Sequence, residues 1–338
     1  MMERGRVIRI IKFARRQGEI PNFNGANLEG ADLAEMDLRA ADLSETNMAH
    51  CNLVGATLIR ANLTGANLQG ADFSKAYLHG VNMDGANLHQ IDLSGQKLET
   101  ASLVGADLTE THLQRTCMRW ANLKYATFKE ADLHEADLQA VDLSEANLSL
   151  AKLHQTNLTE ANLSKANLQR ANLRVADLQR ANLENCDLSQ ADLFKANLTE
   201  SNLSGANLEG TRLKGTNLYM ANLTGVKLNA AATLIKVNLS QSNLSKADLQ
   251  GLDLTGIDLN NADLSEANLN GAKISDDQLG LIKKLDGATM PDGSTYVAKD
   301  KPGKGADGTV RASGKRRATA TGLAASLARI KGEKKEDE

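Results

Sequence analysis

The chain has 338 residues, a length that ordinarily divides into two globular domains. Only 3% of it is aromatic and only three residues are proline, which argues against conventional globular packing. A formal net charge of −3 excludes nucleic-acid binding or acidic mimicry on bulk charge alone. The bias toward Ala, Asn, Asp, Leu, Ser and Thr directs attention to internal repeats before helices and strands.

At the N-terminus (residues 1–20), the stretch ERGRVIRIIKFARR at 3–16 places Val7, Ile10, Ile11 and Ala14 at the i, i+3, i+4, i+7 spacing of an amphipathic helix. Ile8 and Phe13 widen its apolar face, and its remaining surface is basic. The segment reads as a cap on the structure that follows. Partner docking and peripheral contact with an anionic membrane are the other uses of such a helix. It has no continuous apolar stretch and no small-residue cleavage site, so it is not read as a signal peptide. No run of about 18 apolar residues is present to suggest a membrane-spanning helix.

From Phe23 onward an apolar residue recurs every fifth position: Phe23, Leu28, Leu33, Leu38, Leu43, Met48, Leu53, and on without a break to Leu228. Two residues before each centre stands a small residue, as at Ala26, Ala31, Ala41, Ala61 and Ala66. One before it stands Asn or Asp, as at Asn27, Asp32, Asp37 and Asp42. The last two positions of each unit are variable and mostly polar or Gly. A period of five fits neither a helix nor a flat strand, because a helical stripe at that spacing would wind around the axis. It fits a coil in which each unit forms one side and a turn. Stacked coils then bury a continuous column that no unit could bury alone.

This A-[DN]-L-x-x pattern resembles the pentapeptide-repeat proteins. The resemblance spans about residues 21–274, three quarters of the chain. It implies a right-handed quadrilateral β-helix, an all-β solenoid with four pentapeptides per coil. It also implies that the centre and the residue two before it point inward. On that reading about 51 repeats make nearly 13 coils, and at a strand spacing of ~4.8 Å the rod is roughly 60 Å long.

One irregularity interrupts the register. After Leu228 the centres resume at Leu234, so Asn229–Ala230–Ala231–Ala232–Thr233 carries one extra residue. A bulge at a corner would absorb it; a bend or contact point is the other reading. The centres then run from Leu234 to Ile274.

Residues 275–296 read as a C-terminal helical cap. Ser275 is an N-cap for a helix over Asp276–Lys284, with acids in its first turn. The following Leu-Asp-Gly-Ala-Thr-Met-Pro-Asp-Gly at 285–293 resembles the closing segment of many bacterial pentapeptide-repeat proteins. Residues 297–338 are basic, of low complexity, and expected to be flexible. Within them Leu323, Leu327 and Ile330 lie at i, i+4, i+7, enough for a short helix docking in a partner's groove.

No catalytic motif emerges: there is no G-x-S-x-G, P-loop or G-x-G-x-x-G, and a Leu-packed coil leaves no substrate cavity. No enzyme activity, cofactor or metal is expected. His134 and His154 stack one coil apart, but no third ligand is near. Cys51 and Cys186 replace Ala at the inward position, Cys117 sits outward, and the three do not suggest disulfides. Reduced thiols fit a cytoplasmic protein.

Specificity is therefore expected on the outer columns. One candidate is the segment 112–129, with His112, Arg115, Arg119, Trp120, Lys124 and Tyr125. Trp120 is the only tryptophan, and Trp, Tyr and Arg are enriched at interface hot spots. Tyr77, Ile59, Tyr219 and Met220 fall on the same side of the coil as Trp120. The other candidate is the column His134, His154, Arg174, Phe194, Lys214, Ile235, a basic stripe with apolar groups. Lys152, Val175, Lys195 and Arg212 flank it. The expected function is a structural scaffold that binds protein partners through these columns and its tails, with no small-molecule substrate. One alternative is a DNA-mimicking modulator of gyrase, as in the fluoroquinolone-resistance branch of the family. The repeats here, with about 30 acidic and about 20 basic residues, are only modestly acidic for that role. The other is nucleic-acid association through the tail, at about +7 across residues 299–331, which lacks aromatics for stacking.

Overall fold

The computed structural model describes residues 3–228 and 232–297. Its main chain is a β-helical solenoid. Parallel bridges join residues before a centre to those 20 positions on: Asn22 to Asp42, Asn27 to Asn47, Asp32 to Asn52, Asp37 to Thr57. Four pentapeptides therefore complete one coil. Past the irregularity the separation becomes 21, as in Arg212 to Thr233 and Asn217 to Asn238, and returns to 20 at Asn238 to Asp258. The insertion is thus taken up within one coil, although its residues 229–231 lie outside the described part.

Each side of the coil is only one bridge residue wide. Leu28 N–H donates to Asn47 O (2.7 Å) and Asn47 N–H to Ala26 O (3.1 Å) in the coil-to-coil direction. Ala31 N–H then bonds back to Leu28 O at 2.8 Å, closing a turn at the corner. Only the third residue of that turn has positive φ, the pattern of a type II turn. Gly suits it, as at Gly30 (φ 63°), but Trp120 (57°), Tyr125 (61°) and even β-branched Val175 (58°) occupy it as well. An L side chain in this region costs about 1–2 kcal/mol, partly offset by the greater freedom glycine has when unfolded. Val175→Gly is therefore expected to raise stability by about 1 kcal/mol in denaturant melts. A loss of stability would show that the Val175 side chain packs productively.

The interior follows the repeat. The centres are sealed: Leu33, Leu103, Leu143 and Leu183 are all 0% exposed. The small residues two before them fill the corners, with Ala41, Ala61 and Ala161 equally buried. Where Thr or Ser replaces Ala, the hydroxyl donates to a main-chain carbonyl: Thr111 to Leu88, Thr156 to Leu133, Thr216 to Leu193, Ser201 to Leu198. Among the described residues no buried side-chain nitrogen or oxygen lacks a partner.

A different helix lies at each end of the repeats. Helix α1 (Arg4–Gln17) stops at Gly18, whose left-handed φ of 73° lets its N–H reach the carbonyls of Ala14 and Arg15. Val7 and Ala14 are buried, and Ile8, Ile10 and Ile11 pack against the core. Arg4 donates to the carbonyls of Asp32 and Ala34, and Arg15 to that of Arg39, so the helix spans two sides of the first coils. Phe13 does not join the apolar face as its spacing suggested. Six residues past Val7 it has turned outward and is 65% exposed.

Helix α2 (Asp276–Leu281) has a complete capping box between Ser275 and Gln278. Gln278 Nε2 also donates to the carbonyls of Leu254 and Ile257. The helix ends before the expected Lys284, because the following backbone returns to the coil path. Lys283 N–H donates to Ala262 O at 2.9 Å, Lys284 pairs with Asp263, and Thr289 pairs with Asn268. Leu285 and Ala288 are buried as a centre and a corner residue would be. The chain then folds back, with Thr295 antiparallel to Thr289.

Candidate functional site

The polar column before each centre has a structural use. These Asn and Asp side chains accept from the N–H two residues on, as Asn62 Oδ1 does from Thr64 and Asp177 Oδ1 from Gln179. Asparagine adds a bond between coils: Asn162 Nδ2 donates to Asp142 Oδ1 (3.0 Å), and Asn182 Nδ2 to Asn162 Oδ1 (3.2 Å). Aspartate accepts but cannot donate, so it extends the ladder in one direction only. This column is therefore part of the fold.

The segment 112–129 wraps around the coil, since each pentapeptide turns a corner. Consequently its six candidate residues do not form one patch. His112 pairs in the Asp92–Asp132 column, and Arg115 reaches Glu135 (Nε to Oε2, 2.6 Å) on that same side. Arg119 and Trp120 lie on the next side, where Arg119 Nε is 2.5 Å from Asp137 Oδ2. Lys124 and Tyr125 lie on the side after that, with the Lys124 ammonium 4.7 Å from the Tyr125 ring centroid. What remains together is one coil side, residues 121–125, with an aromatic at each corner. Trp120 is 60% and Tyr125 51% exposed.

The second candidate is a true column. The His134 and His154 rings stack at 5.1 Å and 3°. Each Nδ1 meets the main-chain carbonyl of the next coil, at His154 (3.0 Å) and Arg174 (2.9 Å), so each Nδ1 carries a proton, and His134 Nε2 lies 3.3 Å from Glu135 Oε1. Arg174 then lies 4.4 Å over the Phe194 ring, with Lys195 5.3 Å from it. Gly215 N–H donates to Ile235 O, so the Lys214 turn stacks under Ile235, which is 54% exposed. The stripe is less basic than its residues implied. Asp192 takes both Arg174 (3.1 Å) and Arg212 (3.5 Å), and Asp132 takes Lys152 (3.5 Å). Acids one position before a centre neutralise cations on the same side.

Among the described residues no group of His, Cys, Asp and Glu could hold a metal, and no helix is long and apolar enough to cross a membrane. Burial pushes the Cys51 thiol up to about 11 and that of Cys186 higher still. Cys117 is also raised, by burial first. Leu323, Leu327 and Ile330 lie outside the described residues.

The surface acids are tuned by their partners. The Arg39 side chain bonded to Asp37 holds that carboxyl below its usual range, and Arg115 does the same for Glu135. Burial alone would raise Asp263, but bonds from Ser265 and Lys284 outweigh it and the net shift is downward. A depressed folded value means that stability is fully present above the unfolded carboxylate range of about 4 and is lost as pH falls through the folded values. The melting temperature is expected to hold down to about pH 5 and to fall below about pH 4. A transition that did not move at about pH 2.5 would refute this.

A family model described as pentapeptide repeats matches the chain in eight copies, over residues 22–58, 58–95, 86–124, 116–155, 156–193, 191–229, 230–261 and 242–276. No curated protein matches the chain. Among solved structures, HetL, a pentapeptide-repeat protein involved in heterocyst differentiation regulation from the cyanobacterium Nostoc sp. strain PCC 7120, is 26% identical. That match covers 88% of this chain and 100% of HetL, with a TM-score of 0.32. QnrB1, a plasmid-mediated fluoroquinolone resistance protein, is 21% identical over 56% of this chain and 91% of its own, with a TM-score of 0.41. Rfr23 from the cyanobacterium Cyanothece 51142, also a pentapeptide-repeat protein, is 27% identical over 46% of this chain and 88% of its own, at 0.14. The five-residue period, the four-unit coil and a family match along the whole rod have one reading: this chain belongs to the pentapeptide-repeat family and is a right-handed β-helix solenoid.

Proposed function

We propose that the rod is a non-enzymatic scaffold that binds protein partners through its outer columns, with α1 and the 275–296 segment closing its two ends. The observation that carries this reading is Trp120. It occupies a left-handed corner that favours glycine, is 60% exposed, and stands one corner before Tyr125. A large aromatic held at a backbone cost with little packing gain is better explained by recognition than by folding. The column that starts at His134, less than one coil on, and runs to Ile235 provides a second contact surface, and its Phe194–Ile235 end lies several coils away.

Mimicry of DNA is less well supported by the geometry. A mimic needs an unbroken row of uncompensated negative charge. Here Asp37, Asp132, Asp137, Asp192 and Asp263 are each paired with a cation of the same rod. The test is affinity capture by the intact chain and by Trp120→Ala, followed by titration of the recovered partner. A DNA gyrase supercoiling assay run in parallel separates the readings. Inhibition of gyrase that survives Trp120→Ala would favour mimicry over the scaffold.

A further inference from the structure

We propose that the outer face of α1 seats the N-terminal end of the rod on an anionic phospholipid bilayer. The helix is amphipathic twice over. Its inner face, with Val7, Ile11 and Ala14, is committed to the first coils. The opposite face carries Arg6, Arg9, Lys12 and Arg16 around Phe13, all exposed, and Ile20 follows at 60% exposure. Two of the helix's six cations are engaged by the rod, Arg4 with Asp32 and Arg15 with the Arg39 carbonyl. The other four form no ion pair with a described residue. One acid, Glu19, stands at the rim of the shallow groove between Phe13 and Ile20.

Charge complementarity selects an anionic partner, and the apolar centre selects its type. Four cations on mobile stems ringing a phenylalanine match a headgroup layer with an acyl boundary beneath it. Because α1 lies over the terminal coils, this face points away from the core and a planar surface can meet it.

The experiment uses the full chain and large unilamellar vesicles of phosphatidylcholine, with or without about one third phosphatidylglycerol. Sedimentation is expected to show binding to the anionic vesicles only, weakened by salt. Each cation is worth roughly fivefold in partitioning, so Arg9→Glu with Lys12→Glu should lower binding by at least about 25-fold. Phe13→Ala, which leaves the charge intact, should lower it by about tenfold. Both variants should melt like the parent, since these side chains face away from the core. Undiminished binding by both variants would place the lipid contact elsewhere in the chain and overturn the proposal. So would absence of binding to either vesicle. A loss on charge reversal alone, with Phe13→Ala unaffected and a DNA fragment held equally well, would mark a general polyanion site and overturn the lipid assignment.

Discussion

Leu143→Asp is expected to abolish the single cooperative melt of the rod. Leu143 is 0% exposed, stacked between Leu123 and Leu163, and its N–H bonds to Asn162 O at 2.7 Å. Truncation to Ala removes buried methyl groups from a column that cannot collapse sideways, because the coil backbone is fixed on all four sides. That change should cost about 3 kcal/mol, within the range for buried leucine. Asp adds the penalty of a carboxylate with no cation inside the coil, and the total should exceed about 5 kcal/mol. A solenoid's stability is a sum of neighbouring interfaces, so losing both interfaces of one coil should split the rod into separately melting halves. Circular-dichroism melts of the parent, Leu143→Ala and Leu143→Asp test this. An unchanged transition for Leu143→Asp would mean that the column is not the source of stability.

The second large effect is on binding. Trp120→Ala is expected to weaken capture of the partner by about 2 kcal/mol or more, the cost of removing an aromatic anchor. The same change should leave stability within about 0.5 kcal/mol, because the side chain is mostly in solvent and Ala must adopt the same left-handed backbone. Trp120→Gly sharpens the test, since it relieves that backbone and should raise stability while binding is still lost. Tyr125→Ala should weaken binding less, in the same direction. Arg119→Ala is confounded by its ion pair with Asp137, so a loss there is weaker support. Phe194→Ala with Lys214→Glu probes the other column, and the two effects should add across the coils that separate them. A sharp fall in melting temperature for Trp120→Ala with binding intact would make Trp120 structural and end the interface reading.

The coil itself was legible in the sequence. A strict five-residue period of Leu, with Ala two before and Asn or Asp one before, leaves only a stacked coil able to bury every centre. That the centre and the small residue two before it both point inward came from the family resemblance, and both columns are sealed. The left-handed corner was written less openly. Its signal is the glycine that recurs two after a centre, at Gly25, Gly30, Gly55 and Gly65, and the tryptophan at that same position is informative for this reason. The ladder of asparagines was likewise encoded in Asx-turn chemistry, but its coil-to-coil bonds appear only once residues 20 apart are stacked. Local spacing could not reveal how charges meet across coils. The stripe looked basic because Arg174, Arg212 and Lys152 are far apart in the chain from the acids that quench them. The same limit hid the outward turn of Phe13, which depends on how α1 rolls against the first coils, and the early stop of α2, whose continuation is claimed by Ala262 and Asp263. Sequence period determines what a solenoid buries, because each residue's depth is set within its own pentapeptide. Its outer face is decided by tertiary structure, because there every neighbour comes from another coil.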